Sequence, residues 1–402
     1  MRRTETKIPF YLIWRFITRS NKWTLGLTIF LMAIAFINLI FVTSLFNGII
    51  EGSNDQIINT YVGHVSIEPP EGNETIPYAD ATLNAVLGTS GVVGASAQTT
   101  VPATMKFNGI TLSRQVLAID PDRERTVTNI STKMVDGSYL DKDDADGIII
   151  GKQLAGGPDT EQNASSLRDA RVGEVLSLVF ANGSTKEFVI RGIFDTKFIN
   201  TDARAFITDA ALGTIYPDLA DTATGIIVRI DKKGTEDAVV AALVAKRIAG
   251  DFTTWNDYTG LMKSVTKSFL SINVLLTFVG ILIAAITIFI VIYIDIMNKK
   301  RQIGILRAIG IKAWIIRITY VLQTSVYSFF GVLVGTGIFF GVLVPYFNAN
   351  PFSLPICDAV LVIDPADFII RAETIMLVAI LSGLIPAIFV TRMRILNAIL
   401  GK

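Results

Sequence analysis

Phe269-Leu-Ser-Ile-Asn-Val-Leu-Leu-Thr-Phe-Val-Gly-Ile-Leu-Ile283 decides how the chain is to be read. It lies in a window, Ser268 to Ile294, that contains no Asp, Glu, Lys or Arg. Crossing the hydrocarbon of a bilayer takes about 20 apolar residues at about 1.5 Å of helix rise each, and this window supplies them. Three further windows share the property: Trp23 to Ile50, Ile318 to Cys357 and Thr374 to Thr391. Charged residues make up 18% of the chain, against about a quarter in soluble proteins, and the shortfall is concentrated in these blocks. A soluble core seldom stays uncharged for so long, so four transmembrane helices are expected.

Lys and Arg collect in short cytoplasmic segments. Arg2, Arg3, Lys7, Arg15, Arg19 and Lys22 precede the first window, opposed by Glu5 alone. Lys299, Lys300, Arg301, Arg307, Lys312 and Arg317 lie between the second and third, opposed by Asp295, and Arg392, Arg394 and Lys402 follow the fourth. These three segments are expected inside. Residues 51–267 hold 29 acidic against 20 basic side chains, and the last connection carries Asp358, Asp364, Asp367 and Glu373 against Arg371. These two are expected outside.

The expected division is a basic amphipathic segment (1–22), helix one (23–50), an extracytoplasmic domain (51–267) and helix two (268–294). A cytoplasmic loop (295–317), helix three (318–344), an external loop (345–373), helix four (374–391) and a cytoplasmic tail (392–402) complete it. Ala33-Ile-Ala35 imitates a signal-peptide cleavage site, but the apolar run continues through Val42, so the first window is expected to remain as an anchor. Cys357 is the only cysteine, which excludes an intrachain disulfide and leaves the outer domain to stand on packing.

Within 51–267 strand signals recur at His64-Val-Ser-Ile-Glu, Leu112 to Ile119, Gly147-Ile-Ile-Ile-Gly, Val175 to Phe180, Glu187 to Phe194, Arg204-Ala-Phe-Ile-Thr and Gly225 to Ile230. Ala181-Asn-Gly-Ser reads as a hairpin turn. Glu236 to Ile248 is the clearest helix, and with Phe252-Thr-Thr-Trp after it suggests a strand, helix, strand unit. The reading is a large α+β domain inserted between helices one and two. Its membrane-proximal α+β part covers about 61–140 and 222–257, with a β-rich insertion at about 147–212. Phe46, Ile49, Ile50, Ile57 and Ile58 on one side, and Tyr258, Leu261, Met262, Val265 and Phe269 on the other, keep a helical period. Stalk helices that transmit motion are expected there.

Several chemistries are missing. No Gly-x-x-x-x-Gly-Lys-Ser/Thr loop is present to cradle phosphates. The four windows offer amides and hydroxyls, such as Asn38, Asn47, Asn273 and Gln323, but no ionisable relay of the kind an ion-coupled carrier keeps. With one His and one Cys, a zinc site is excluded, and His64 reads as a strand-edge residue with a structural hydrogen bond. No catalytic residue, bound metal or nucleic-acid partner is expected.

The most informative stretch is Asn298-Lys-Lys-Arg-Gln-Ile-Gly-Ile-Leu-Arg-Ala-Ile-Gly-Ile-Lys-Ala-Trp-Ile-Ile-Arg317. Gln302 to Ala308 favours a short helix with Ile305, Leu306 and Ile309 on one face, which Gly310 can end in a left-handed cap. A basic segment resting on anionic lipid would explain the charge but not that stop. Arg301-Gln-Ile-Gly-Ile-Leu-Arg-Ala-Ile-Gly310 resembles the Arg-Glu-Ile-Gly-x-Leu-Arg-Ala-x-Gly signature of the FtsX-like permease superfamily, which includes MacB-type exporters and lipoprotein-releasing permeases. The order of one span, a large external domain and three spans is similar over the whole chain, and Gly63-His-Val resembles the lipoprotein-releasing branch. Gln302 stands where Glu is usual, and Arg392-Met-Arg-Ile-Leu-Asn-Ala-Ile lacks the family's Pro.

The resemblance implies a coupling helix seated in a separate ABC-type ATPase subunit, which holds ATP and Mg. Ile305, Leu306 and Ile309 would form the apolar seat, Arg301, Arg307 and Lys312 would position it, and Gln302 and Gly310 belong to the same motif. It also implies a second copy of the chain, or a homologous permease, in the plasma (inner) membrane, with both termini cytoplasmic. Gly331 and Gly335, and Gly337 and Gly341, have the spacing that lets membrane helices pack closely. The expected function is mechanical transmission of ATP-driven motion to the outside, exporting or releasing a lipoprotein, lipid, peptide or hydrophobic compound. The alternatives are an FtsX-like regulator that transports nothing and controls an external partner such as a cell-wall hydrolase, and a sensor.

Overall fold

The computed structural model describes residue 11 and residues 22–157, 160, 165–354 and 357–393, without the side chains of 24 and 259–270. Most of the basic entry segment and the tail from Arg394 lie outside the described residues. In chain order come α1 (Lys22–Ile57), a π-helical turn (Ile58–Val62), β1 (Val65–Glu68), β2 (Ile76–Pro77), α2 (Ala79–Leu87), β3 (Val92–Phe107) and β4 (Ile110–Ile119). Next are α3 (Pro121–Val127), β5 (Met134–Gly137), β6 (Gly147–Gly151), α4 (Lys152–Ala155), β7 (Val175–Phe180), β8 (Thr185–Phe194), α5 (Ile199–Asp202) and β9 (Ala205–Thr208). After α6 (Asp209–Ile215), β10 (Thr222–Ala223), β11 (Gly225–Ile230), α7 (Glu236–Ala245) and β12 (Asp251–Thr254), the chain is mainly helical. It continues through α8 (Trp255–Asn298), α9 (Lys300–Ala308), α10 (Ala313–Ile338), α11 (Val344–Ala349) and α12 (Pro365–Arg392).

These elements form two compact units. One gathers the described residues up to Ile49, Thr266–Phe352 and those from Ala359 onward; the other gathers Ile50–Val265 and Ser353–Asp358. The periodic stretches flanking the first two windows lie within α1 and α8, which supply residues to both units.

The first unit is helical. Four stretches are long and apolar enough to cross a membrane: Leu25–Val62, Ser271–Asn298, Ala313–Ala349 and Pro365–Arg392. On α8 a single stripe, Ala284, Ile288, Ile292 and Ile296, enters the shared core, because a spacing of four stays on one helical face. Leu275, Leu282, Ile283, Ile286 and Ile290 remain exposed, as suits a face solvated by hydrocarbon rather than water. Hydroxyls inside the helices return to their own backbone: Thr43 to Leu39 O, Thr319 to Ile315 O, Thr324 to Tyr320 O and Thr391 to Ala387 O. Such groups are satisfied without a polar channel.

The second unit has two parts that share one strand. The residues Gly94–Gln98 of β3 pair with β11, and the ladder continues antiparallel through β1 to β12. α2 and α7 cover one face of this sheet, where Leu83, Val86, Val239 and Leu243 meet Val65, Ile67, Ala95 and Val228. The anticipated strand, helix, strand unit is β11, α7 and β12. Further along, Ala103–Lys106 of β3 pair with β7 instead. From there the ladder runs β3, β4, β9, β6, β8, β7 and back to β3, closing a six-stranded barrel. Alternate side chains fill it, among them Val101, Met105, Phe107, Ile148, Leu178 and Phe188, all within one core. Pro102 falls in the gap between the two partners of β3, where its missing N–H breaks no ladder bond.

Two expectations change here. The β-rich part is not confined to about 147–212, since it closes only by taking β3 and β4 from the neighbouring part. The His64 side chain makes no structural hydrogen bond through Nδ1 among the described residues; its backbone does the anchoring, with N–H to Val228 O and C=O from Trp255 N–H.

Asp202, which closes α5 beneath the barrel, is 2% exposed and accepts hydrogen bonds from Thr196 N (2.9 Å) and Thr196 Oγ1 (2.7 Å). Burial outweighs those bonds and raises its pKa from 3.8 to about 6. A carboxyl raised in the folded state favours folding while protonated, and that contribution is lost as pH rises from about 4 through 6. The stability of the protein relative to its Asp202→Asn variant should therefore rise by about 2 kcal/mol on acidification from pH 7 to pH 4. Paired unfolding curves at several pH values will check this; a pH-independent difference would mean that the Asp202 carboxyl titrates in the folded protein as it does in the unfolded chain, so that burial does not raise its pKa.

Candidate functional site

α8 ends at Asn298 and α9 starts at Lys300, so a single residue separates them. The stop of α9 is a Schellman motif: Ile311 N–H reaches Leu306 O and Gly310 N–H reaches Arg307 O, both at 3.1 Å. Gly310 adopts φ +96°, a conformation that a Cβ would strain. The helix is held from below by Ile303, 1% exposed within the helical core, and from the side by Arg307, whose Nη1 donates to Met393 O at 2.8 Å. A second tie follows on α10, where Arg317 Nε donates to Thr391 Oγ1 at 2.8 Å.

These restraints leave one face open. Ile305 is 46% and Ile309 71% exposed. Leu306 is half-buried, and Arg301, Gln302 and Lys312 are exposed. The structure thus brings Ile305 and Ile309 together on a basic, accessible surface, while Leu306 and Arg307 face the supporting side. Arg307 holds the backbone just beyond α12, at Met393.

A polar clasp lies just behind α9 and was missed by counting charges. The sequence reading assigned Asp295 to the basic loop and found no ionisable group in the second span; the helix continues past it and buries it, 8% exposed. Its carboxylate accepts from Lys299 Nζ, one turn on, at 2.9 Å and from Gln323 Nε2 of α10 at 3.0 Å. Gln323 also donates to Tyr327 OH at 2.7 Å. Burying an acid is tolerable because a cation and an amide satisfy it together. The signal was present as spacing, since Ile288, Ile292 and Asp295 share a face, as do Thr319, Gln323 and Tyr327.

The four glycines separate into two pairs. Gly331 and Gly335 of α10 press against Met32, Ala33 and Phe36 of α1 so closely that a Cβ would collide with them. Gly337 and Gly341 meet nothing within 4 Å. No group of three or more His, Cys, Asp or Glu suited to a metal occurs among the described residues.

Two family models match the chain. The MacB-like periplasmic core domain spans residues 25–246, more than half the chain, and the FtsX-like permease C-terminal region spans 274–395. No curated protein matches. Among solved structures, the extracellular domain of the noncanonic ABC-type transporter YknZ from Gram-positive bacteria is similar at 11% identity and TM-score 0.34, covering 47% of this chain and 97% of that one. The periplasmic region of MacB from Actinobacillus actinomycetemcomitans is similar at 11% identity and TM-score 0.36, covering 50% and 92%.

Removing one member of a buried ion pair strands the other, at a cost of about 3–5 kcal/mol. Asp295→Leu should lower the melting temperature in detergent sharply, and adding Lys299→Met should recover most of the loss. A single variant as stable as the parent would show that Lys299 escapes to solvent. By the same measurement Gly335→Leu should be strongly destabilising and Gly341→Leu close to neutral; equal effects would remove the α1–α10 approach as the reason for Gly335.

Proposed function

We propose a role that starts from one fixed point: the chain belongs to the FtsX/MacB-type family of ABC transporter permeases. On this reading the helical unit sits in the plasma (inner) membrane with both termini cytoplasmic, and the β-rich unit lies outside. A separate ABC-type ATPase subunit binds ATP and Mg, and the permease pairs with a second copy or a homologue. The exposed α8 face, apolar from Ile272 to Ile294, suits lipid or that second permease.

The observation that carries the proposal is the α9 surface. A short helix, stopped by Gly310 and fastened by Ile303 and Arg307, presents two isoleucines that are exposed among the described residues. A groove on the ATPase would bury Ile305 and Ile309, with Arg301, Gln302 and Lys312 at the rim. Motion of α9 then passes to α8 across one residue and to α10 through the Asp295, Lys299 and Gln323 clasp. α1 and α8 carry it outward, since both helices extend beyond the apolar windows.

At the outer end, Lys233, ahead of α7, bonds Glu51 at 2.7 Å and Asp55 at 3.1 Å on α1. The cargo, a lipoprotein, lipid, peptide or hydrophobic compound, is handled there or at the outer leaflet. The inward hydroxyls of Thr319 and Thr324 are spent on their own helix.

Ile305→Asp and Ile309→Asp together place two charges at the centre of the proposed contact while touching no buried side chain. The double variant should fold like the parent but lose copurification with the ATPase and stimulation of its hydrolysis by about tenfold or more. Retained binding would remove α9 from the docking surface.

A further inference from the structure

The outside of the barrel carries a groove of about 680 Å3, within the range of about 300–1,000 Å3 that ligand pockets occupy. Its floor is formed by Pro102, Thr104, Ser113 and Gln115, which alternate outward on β3 and β4. Its wall is Tyr61, Asn200 and Arg204. No Asp or Glu lines it among the described residues. Arg204 lies flat on Tyr61, with its guanidinium carbon 3.7 Å from the ring centre. Tyr61 is wedged in turn by Phe198 and Tyr258, at 5.6 and 5.7 Å between ring centroids. The guanidinium plane is therefore fixed before anything binds.

Arg204 enters no ion pair among the described residues, and burial works against its charge. A partly desolvated cation outside any ion pair, with the buried Glu124 favouring its charge from a distance, gains from an arriving anion, and guanidinium matches a carboxylate with two parallel hydrogen bonds. The rest of the lining adds a second guanidinium, Arg114, the hydroxyls and amides of Thr104, Ser113, Gln115 and Asn200, and apolar positions such as Val179 and Phe180. The Thr104 and Ser113 hydroxyls lie 3.3 Å apart and bond each other; an acyl chain would leave the Gln115 and Asn200 amides unpaired, whereas the amides of an extended polypeptide would use them.

We propose that this groove binds an extended acidic peptide segment, with Arg204 donating to its carboxylate and the Thr104, Ser113, Gln115 and Asn200 side chains bonding its backbone. The site goes beyond the coupling role and requires no ATPase for its occupation.

The test uses the full chain in detergent and fluorescence anisotropy with fluorescein-labelled Gly-Ser-Glu-Thr-Glu-Gly, compared with the same peptide carrying Gln for Glu. The acidic peptide should bind at least about tenfold more tightly, as charge-assisted bonds imply, and less tightly as salt is raised. Arg204→Gln should erase that preference. Ser113→Trp, on an exposed strand position, should block the groove with Arg204 intact, and it decides the matter alone if the arginine variant does not fold. Equal binding of the two peptides, or full binding by Ser113→Trp, overturns the proposal. So does Arg204-dependent binding of fluorescent dihexanoyl phosphatidylglycerol without peptide binding, which would assign the groove to a lipid headgroup.

Discussion

Polar groups in hydrocarbon must find partners inside the protein, and the helical unit is arranged around that constraint. Its threonines return to their own carbonyls, Asn47 reaches Asp367 near the end of the bundle, and the single buried acid of α8 is met by Lys299 and Gln323. Breaking the last arrangement would leave an unpaired charge, so α8 and α10 are bound to move together where α9 begins. The position of the clasp matters more than its energy. Its Lys299 immediately precedes α9, which carries the exposed Ile305, so a displacement of that helix reaches two spans at once.

The outer unit obeys a different constraint. Without a disulfide, its order comes from closing a sheet on itself, and closure depends on β3. That strand spends its first half in the α+β layer and its second half in the barrel, with Pro102 at the change of partners. Glu124 adds a further restraint on the same strand. It is fully buried on α3, accepts from Gln98 Nε2 at 3.1 Å and Thr128 Oγ1 at 3.2 Å, and burial pushes its pKa up.

Much of this was legible in the sequence where the signal is local. Three of the uncharged windows lie within apolar helices and the other, Ile318 to Cys357, runs past a helical stretch that ends at Ala349; the seven strand signals are β1, β4, β6, β7, β8, β9 and β11, and Ala181 to Ser184 makes its turn with Gly183 at φ +83°. Gly310 ends α9 by the geometry its position suggested. β3, the longest strand, left no such mark. Gly94, Ala95, Ser96, Ala97, Thr99 and Thr100 are small or polar, and apolar alternation begins only at Val101. Barrel closure was beyond reach for a related reason: the β3–β7 and β4–β9 ladders join residues far apart in sequence, and periodicity carries no information about partners. Asp295 was hidden by company. One acid beside six bases reads as a solvated loop until the helix that contains it is known to continue. Arg204 was hidden by its strand, since its neighbours Ala205 to Thr208 are buried and nothing local indicates that its own head is held by Tyr61 from the distant end of α1.

The double allegiance of β3 bears on how such proteins can be recombined. A chimera that exchanges only residues 147–212 for those of a relative would replace four barrel staves and keep the host's other two, so the new staves would have to match β3 and β4 in register and in the size of their inward side chains. Seams placed on either side of the hairpin would avoid that mismatch but would tear β3 away from β11. Grafts that succeed should therefore be those that transfer the whole outer unit, and natural exchange among relatives is subject to the same topological restriction.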